Sequence, residues 1–466
     1  MQSTFPTGFV WGAAAASYQI EGATTQGGRG ESIWDVFCRV SGNVVHGHTG
    51  DVACDHYNRY KGDVAIMKTM GLDAYRFSIA WPRVMPDGVG AVNAAGLDFY
   101  DALVDEILAA GITPWATLFH WDFPQALFNR GGWLNRDSQH WFADYTKVIM
   151  DRLSDRVTNW MTVNEPQIYI GLGHYDVKHA PGIKYPFSQA LLAGHHTLLA
   201  HGRSVQVIRA NAKKPATIGW APIGKVECPL TESAADIEAA RASSFGCDKN
   251  FFNNSWFGDA VIFGKYPEQG LELYGADVPK VQPGDMEVIS QKVDFYGCNI
   301  YSGGRVKAGP DGKPQNVWLE PGHARNALSW AVYPPCLRWG PRFLYERYKL
   351  PVMITENGMT NLDWVHSDGA VHDPQRIDFT RRYLIELRKA ITDGADIRGY
   401  FHWSLMDNFE WAEGYKDRFG MIHVDYETQK RTLKDSGHWY AEVIASNGAI
   451  LDSSHAGLEP KLYVYA

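Results

Sequence analysis

The sequence predicts an α/β protein built as a single (β/α)8 barrel, with extended βα loops forming a cleft over one end of the barrel. Short apolar or β-branched runs alternate with longer amphipathic stretches, which is the pattern of parallel strands joined by helices. Polar and aromatic side chains gather just after these runs, and a barrel of this kind carries its chemistry at the carboxyl ends of its strands. The eight predicted strands are residues 9–14, 74–79, 113–119, 160–163, 217–220, 293–299, 352–355 and 399–404.

Two connecting segments show helical periodicity well. Residues 98–108 (DFYDALVDEIL) place apolar side chains at helical spacing and stop shortly before Gly111. Residues 377–391 alternate apolar positions with Arg, Lys and Glu at the same period. Both segments therefore predict helices that lie outside the strands.

A doubly wound sheet is the alternative arrangement of alternating strands and helices. It would carry a glycine-rich phosphate-binding turn after its first strand, and the segment after residues 9–14 has no such turn. The barrel is therefore favoured.

A chain of 466 residues could hold more than one domain, but no linker or charge run divides it. We expect one barrel domain over residues 1–452 and a turn-rich tail over residues 453–466.

Charge and composition exclude several partners. The formal net charge is −8 and no basic face is apparent, so we expect no nucleic-acid partner. No apolar run is long enough to span a membrane. The first residues lack a basic segment followed by an apolar stretch, so we expect a cytoplasmic location. The sequence leaves the oligomeric state open.

Cysteine and histidine spacing predicts neither a disulfide framework nor a metal site. The six cysteines are scattered without a C-x-x-C pair, so we expect reduced, mostly buried thiols. No acidic metal-ligand pattern accompanies His195, His196 and His201. The last two are five residues apart, so they do not lie on the same face of a helix. We expect these histidines to serve helix packing.

Two glutamates stand where predicted strands end. Glu165 lies in TVNEP (162–166) after an apolar-aromatic run, and Glu356 lies in ITENG (354–358) after another. A single glutamate at such a position is usually a helix cap or a solvated loop residue. Two carboxylates from different strands, meeting over one cleft, are the minimum needed to cut a glycosidic bond.

The other strand ends are rich in amide, imidazole, carboxylate and indole groups. A sugar needs this mixture, because its hydroxyls bind amides and carboxylates while its C–H face packs on an aromatic ring. The residues found there are Gln19, Arg76, His120, Trp121, Asn164, Asn299, Tyr301, Trp403, Glu410 and Trp411.

Six sequence frames, in this order, resemble those of the glycoside hydrolase family 1 β-glucosidases. The resemblance covers roughly residues 5 to 450. The frames are FVWGAAAASYQIEG (9–22), YRFSIAW (75–81), TLFHWD (117–122), TVNEP (162–166), ITENG (354–358) and GYFHWSLMDNFEW (399–411).

The resemblance implies that Glu356 is the nucleophile and Glu165 the general acid/base. A retaining mechanism needs the two carboxyl groups about 5–5.5 Å apart. The attacking carboxylate must be ionised, and the resemblance places Arg76 and Tyr301 beside Glu356 to hold its charge. Glu165 must begin protonated, so its surroundings should disfavour the charged form.

The resemblance also implies a set of substrate-binding residues. Gln19 and Glu410 would hold the 3- and 4-hydroxyls, with Glu410 reaching the 6-hydroxyl, and Asn164 would contact the 2-hydroxyl. Trp403 would lie under the sugar ring, and Trp330 would support the leaving group. The full set is Gln19, His120, Trp121, Asn164, Asn299, Trp330, Trp403, Glu410, Trp411 and Phe419.

The expected function is that of a retaining β-glucosidase acting through a covalent glycosyl-enzyme. It would release terminal non-reducing β-D-glucosyl residues from cellobiose, short cello-oligosaccharides and aryl β-glucosides, as in cellulose degradation. No cofactor or metal is implied, because both steps use carboxylates and water. The alternatives are a transglycosylating enzyme, a broad β-glycosidase that accepts fucosides or galactosides, and a sugar-binding relative without activity.

Single residues narrow the substrate. Relatives that cleave 6-phosphosugars tend to lack the carboxylate at Glu410, so a non-phosphorylated sugar is expected. Relatives acting on thioglucosides carry Gln where Glu165 stands, so O-glycosides are expected. Gln167 replaces a residue that is often aromatic in the family, and residues 172–179 also depart from its pattern. The preference for the leaving group therefore stays open.

Overall fold

The computed structural model describes residues 4–453, and its centre is a nearly closed barrel of eight parallel strands. We number these barrel strands first to eighth in chain order. They are Val10–Ala14, Ala74–Ser78, Thr113–Phe119, Asn159–Asn164, Thr217–Ala221, Tyr296–Asn299, Val352–Asn357 and Ile397–Trp403.

Neighbouring barrel strands pair in parallel. Their order in the sheet is fifth, fourth, third, second, first, eighth, seventh and sixth. Backbone hydrogen bonds link the fifth and sixth strands near their ends. Asp294 N donates to Ile218 O at 2.6 Å, and Asn299 N donates to Pro222 O at 3.0 Å. The predicted α/β fold, a (β/α)8 or TIM barrel, is confirmed.

The long helices cover the outside of the barrel. The predicted segments 98–108 and 377–391 lie inside two of them, Ala94–Ala109 and Pro374–Thr392. The other helices of ten or more residues are His56–Thr69, Ser138–Leu153, Phe187–Asn211, Ala234–Phe245, Asn254–Phe263, Cys336–Tyr348 and Asp435–Ala445. Shorter α-helices are Ser17–Ile20, Ile33–Cys38, Trp81–Val84, Gln125–Phe128, Pro166–His174, Glu268–Tyr274 and Asp285–Ile289, and 3-10 turns are Val45–Gly47, Gly132–Leu134, Gly275–Asp277, Trp411–Glu413 and Ala449–Asp452.

The helix Ala94–Ala109 illustrates how the sequence specifies these elements. Its buried Tyr100, Leu103 and Ile107 recur every three or four residues and pack against the barrel. Gly111 follows with φ of 81°, a left-handed conformation that glycine adopts easily, and this ends the helix.

Two small sheets lie in the extended βα loops. The strands Glu227–Pro229, Gly304–Ala308 and Pro314–Asn316 form one sheet, and Ile422–Val424 pairs antiparallel with Arg431–Leu433 to form the other. These loops rise on the side of the barrel where its strands end. They supply the cleft that the sequence analysis expected there.

Large side chains fill the barrel interior below this cleft. The Trp115 ring contacts the rings of Phe295 and Phe401 with centroids 5.5 and 5.3 Å apart. Above them, Arg76 Nε donates to Thr117 Oγ1 at 3.2 Å. The interior is therefore a packed core whose upper layer becomes polar, and this layer is the floor of the cleft.

The three histidines of helix Phe187–Asn211 attach that helix to its surroundings. His195 Nε2 lies 3.0 Å from Asp285 Oδ2, and His196 Nδ1 lies 2.9 Å from Trp133 O. His201 Nδ1 lies 2.6 Å from Thr162 Oγ1 on the fourth barrel strand. All six cysteines lie within the described residues and are buried free thiols.

Across residues 4–453, none of the helices combines the length and apolar character needed to cross a bilayer. The predicted tail, residues 453–466, lies outside the described residues apart from Ser453. The division into one barrel domain and a tail therefore stays a prediction.

Candidate active site

The two glutamates face the same cleft from two barrel strands. Glu165 follows the fourth strand directly, and Glu356 is the penultimate residue of the seventh. Both are buried, with 7% and 3% of their surface exposed. The strands therefore carry both carboxyl groups to the end of the barrel where substrates bind.

Glu356 is held by two strong hydrogen bonds. Arg76 Nη1 donates to its Oε1 at 2.6 Å, and the Tyr301 hydroxyl donates to its Oε2 at 2.6 Å. Arg76 also donates to Asn164 Oδ1 at 2.6 Å through Nη2. The predicted neighbours of Glu356 thus contact both of its oxygens, and such bonds favour an ionised carboxylate.

Glu165 has an amide partner instead of a cation. Asn299 Nδ2 donates to Glu165 Oε1 at 2.8 Å and to Asn164 Oδ1 at 3.0 Å. The amide oxygen of Asn299 accepts a bond from Thr355 Oγ1 at 2.6 Å, which fixes the direction in which its NH2 group points.

The two carboxyl groups have different electrostatic surroundings. Burial raises the pKa of Glu165 well above its ordinary value, and the nearby charge of Glu356 raises it further. Burial also raises the pKa of Glu356, but the charge of Arg76 and the hydrogen bond from Tyr301 oppose that rise. One proton shared by the pair therefore resides on Glu165.

Several site residues adopt a strained backbone conformation. Glu165, Trp121 and Trp411 have φ of 47°, 80° and 51°, in the left-handed region that large side chains rarely occupy. Glu165 N donates to Ala221 O at 2.8 Å, which helps to hold this conformation. Such strain is typical of functional sites, where the surrounding structure fixes a side chain in an unusual direction.

A close backbone contact explains why the ITENG frame ends in a glycine, Gly358. A Cβ atom at this position would lie 1.8 Å from Trp403 O. The chain after Glu356 therefore approaches the end of the eighth strand more closely than any residue but glycine permits.

Gln19, Asn408 and Glu410 form one hydrogen-bonded group, which we call the polar wall. Gln19 Nε2 donates to Asn408 Oδ1 at 2.9 Å and to Glu410 Oε2 at 3.2 Å. Gln19 Oε1 is buried and has no hydrogen-bond partner among residues 4–453. This amide oxygen is therefore available to a ligand donor. Burial and the charges of Asp417 and Glu356 raise the pKa of Glu410 to about 8.

Aromatic rings line the cleft beside the polar wall. The His120 ring stacks on Trp403 with centroids 5.6 Å apart and on Trp411 at 6.0 Å. Trp121 lies 4.5 Å from Trp411 and donates from Nε1 to Asn164 O at 2.9 Å. Burial, reinforced by the charge of Arg76, lowers the pKa of His120 well below its ordinary value, so this ring is neutral.

A second aromatic group lies beside Tyr301, just after the sixth barrel strand, and extends towards solvent. The Tyr301 ring lies 5.4 Å from Trp330 and 6.1 Å from Phe419. Trp330 is 39% exposed, whereas Phe419 is buried.

Gln167 is buried, and its Oε1 accepts a bond from Ile223 N at 3.4 Å.

Three residues support the site through contacts that the sequence did not predict. Thr355 and Asn408 lie in the quoted frames, but nothing local marked them as the groups that orient Asn299 and Gln19. Trp34 packs 4.6 Å from Trp411, and its helix has no motif that would link it to the site. Thr355 and Asn408 act through hydrogen bonds to Asn299 and Gln19, and Trp34 acts through its contact with Trp411.

The fold and the site together define a class of protein. The two buried carboxyl groups face one cleft at the carboxyl end of a parallel barrel, and amides and indoles flank them. The pKa of Glu165 is raised more strongly than that of Glu356, which has Arg76 and Tyr301 as partners. This arrangement is the equipment of a glycosidase.

Comparison with known proteins identifies the family. The model of glycosyl hydrolase family 1 matches residues 1–449, and the chain belongs to that family. It is 45% identical to β-glucosidase A of Thermotoga maritima over 445 residues, 95% of this chain and 98% of the relative. It is 44% identical to β-glucosidase A of Acetivibrio thermocellus over 453 residues, 96% of this chain and 99% of the relative.

A solved structure gives the same result for the fold. The T. maritima β-glucosidase in complex with glucoimidazole superposes with a TM-score of 0.88 at 45% identity, covering 96% of this chain and 100% of the other. The resemblance deduced from the six sequence frames is therefore confirmed.

Proposed function

We propose that this chain is a retaining β-glucosidase in which Glu356 is the nucleophile and Glu165 the general acid/base. The observation that carries the proposal is the asymmetry of the carboxyl pair. Glu356 binds a guanidinium and a phenol, while Glu165 binds the amide of Asn299. The β-glucosidase names of relatives 44–45% identical over nearly the whole chain support it.

In the first step, the Glu356 carboxylate attacks the anomeric carbon of the bound sugar. The bond from that carbon to the leaving oxygen breaks, and Glu165 gives its proton to this oxygen. The product is a sugar ester of Glu356. This ester has no negative charge, so the pKa of Glu165 falls and the group becomes a base.

In the second step, Glu165 takes a proton from water as the water oxygen attacks the anomeric carbon. The ester bond breaks, Glu356 recovers its charge and Glu165 its proton. The two inversions give a product with the β configuration. Arg76 and Tyr301 remain bound to the departing carboxylate oxygens and stabilise the charge that returns there.

The polar wall supports a glucoside as substrate. Gln19 Oε1 would accept from the 3- or 4-hydroxyl, and Glu410 would bind the 4- and 6-hydroxyls. Asn164 would contact the 2-hydroxyl, and Trp403 would stack on the C–H face of the ring. Cellobiose, short cello-oligosaccharides and aryl β-glucosides fit this description. Asn299, His120, Trp121 and Trp411 would complete the sugar site, and Trp330 and Phe419 would border the leaving group.

Stereochemistry of hydrolysis tests the proposal most directly. Proton NMR of p-nitrophenyl β-D-glucoside during the first minutes should show β-glucose before α-glucose appears through mutarotation. First appearance of α-glucose would contradict a nucleophilic Glu356.

Parallel assays with β-galactoside and β-fucoside would separate a strict glucosidase from a broad β-glycosidase. Products larger than the substrate would reveal transglycosylation.

Activity should follow a bell-shaped pH profile with its optimum on the acid side of neutrality. The active form needs an ionised Glu356 and a protonated Glu165. As pH falls, Glu356 gains a proton and the acid limb appears. As pH rises, Glu165 loses its proton, which its raised pKa delays, and the alkaline limb appears. The measurement is kcat/KM for p-nitrophenyl β-D-glucoside, and a flat profile from about pH 4 to 8 would contradict the assignment.

We also propose a cytoplasmic location. Six free thiols among the described residues are compatible with a reducing compartment.

A further inference from the structure

Six buried charged side chains lie outside the candidate active site, close to the loop that follows the eighth barrel strand. We call them the charge cluster. Five of the side chains are at most 1% exposed, and only Arg418 reaches 17%. Its members are three carboxylates and three cations: Asp363, Asp373, Asp407, Arg376, Arg418 and Lys434.

Lys434 joins two parts of this cluster. Its Nζ donates to Asp363 Oδ2 at 2.6 Å and to Asp407 Oδ1 at 2.7 Å, and its side chain is fully buried. The residue precedes the helix Asp435–Ala445, so its backbone belongs to neither of the loops that its ammonium group connects.

One of these loops follows Glu356. Asp363 lies seven residues beyond that glutamate and also accepts a bond from Arg376 Nη2 at 2.7 Å. The same loop pairs with the backbone of Arg418, where Asn361 N donates to Arg418 O at 3.0 Å. The position of the loop is therefore set by the charge cluster.

The other loop carries Asn408 and Glu410, two of the three residues of the polar wall. Asp407 immediately precedes Asn408, and Glu410 follows three residues after Asp407. Asp407 Oδ2 accepts from Arg418 Nη1 at 2.7 Å, and Oδ1 accepts from Gly420 N at 3.0 Å. A shift of Asp407 would move Asn408, which accepts the Gln19 bond, and with it the geometry of Gln19 and Glu410.

Stability alone gives little reason for burying an ammonium group here. Two buried ions must be stripped of water, and apolar side chains of similar size often stabilise a fold as well or better. What charged hydrogen bonds add is a fixed direction and distance. The bonds of Lys434 are therefore best explained by the position they impose on the 407–410 loop.

We propose that Lys434 is a positioning residue for sugar recognition. It fixes the position of the polar wall and does not touch the substrate. The inference rests on the proposed function, because it assumes that Glu410 binds the hydroxyls at the hydroxymethyl end of a glucosyl residue. Lys434 then contributes to the choice between sugars that carry this hydroxymethyl group and sugars that lack it.

The test compares two substrates with the same leaving group in the variant Lys434→Met. p-Nitrophenyl β-D-glucoside has the hydroxymethyl group, and the corresponding β-D-xyloside lacks it. We expect the ratio of kcat/KM for glucoside to that for xyloside to fall about tenfold, the scale of one lost hydrogen bond. The glucoside loss should include a raised KM, because Glu410 binds the substrate before the reaction as well as during it.

Two further variants serve as controls. Arg347→Met removes a salt bridge to the buried Asp259 between outer helices, so it should lower stability and leave the substrate ratio within about twofold of wild type. Lys434→Met combined with Asp363→Asn keeps the cluster's charge balanced and still removes the bond to Asp407. This double variant gives the same measurement if the single variant does not fold, and its ratio should fall as well.

The outcomes separate the two proposals. A wild-type protein inactive on both substrates would overturn the proposed function. An active wild type whose ratio stays unchanged in both Lys434 variants, although overall activity drops, would overturn the positioning role and leave the glucosidase proposal intact. An equal fall of the ratio in Arg347→Met would also overturn it, since destabilisation alone would then explain the change.

Discussion

Replacing Glu356 by alanine is expected to lower kcat/KM for p-nitrophenyl β-D-glucoside by roughly 10⁵-fold, the scale seen when a catalytic nucleophile is removed. The variant retains the acid Glu165 and the sugar-binding groups, so substrate still binds. It cannot form the glycosyl-enzyme, because alanine has no atom that could attack the anomeric carbon. Removing the carboxylate leaves the buried Arg76 without this ion-pair partner, so the variant should be less stable than wild type, and its thermal unfolding should be recorded beside its activity.

Azide turns this loss into a specific signal. In Glu356→Ala the small anion can occupy the space of the missing carboxylate, close to Arg76 and Tyr301, and attack from the same face. The product should be α-glucosyl azide, identified by NMR. Glu346→Ala, which removes an outer-helix partner of Arg241 and Arg342, is the matched control and should keep near wild-type activity. Activity of Glu356→Ala above about one per cent of wild type would exclude the nucleophile role.

The barrel was predictable because its strands are buried on both faces and therefore form apolar runs of a recognisable length. The exact ends were not. The sixth strand begins at Tyr296, although the predicted segment begins at residue 293, because Val293 and Phe295 are buried in the core without joining the regular strand ladder. The seventh strand extends through Asn357 and so includes Glu356 itself. Burial is visible in the sequence, whereas backbone pairing depends on the neighbouring strand.

Most of the candidate site residues were predictable as a group, because they belong to sequence frames with unusual composition. Asn299, Tyr301, Trp330 and Phe419 lie outside the six frames. The contacts of the site residues were less accessible. The direction of the Asn299 amide depends on Thr355, a residue of a different strand. Lys434 is 71 residues from Asp363 and 27 from Asp407, and the segment around it has no pattern that distinguishes it from a surface lysine. Long-range hydrogen bonds between buried polar groups leave no periodic trace in a sequence.

Replacing Glu165 by alanine should have an effect that depends on the leaving group. For cellobiose, whose leaving oxygen needs a proton, kcat/KM should fall roughly 10⁴-fold, near the upper limit of general acid catalysis. For 2,4-dinitrophenyl β-D-glucoside, whose leaving phenol departs as an anion, the loss in kcat/KM should be about tenfold or less. The comparison measures the proton that Glu165 supplies, because both substrates present the same sugar to Glu356.

The second step of the same variant supplies the complementary test. Without Glu165 as base, the glycosyl-enzyme reacts slowly with water, so it accumulates and kcat for the dinitrophenyl substrate should be low. Azide needs no base, and it should restore turnover by attacking the ester from the opposite face to give β-glucosyl azide. The two alanine variants thus give azides of opposite configuration. The reverse assignment of the anomers would exchange the roles of the two glutamates, and equal losses for both leaving groups would remove Glu165 from proton transfer altogether.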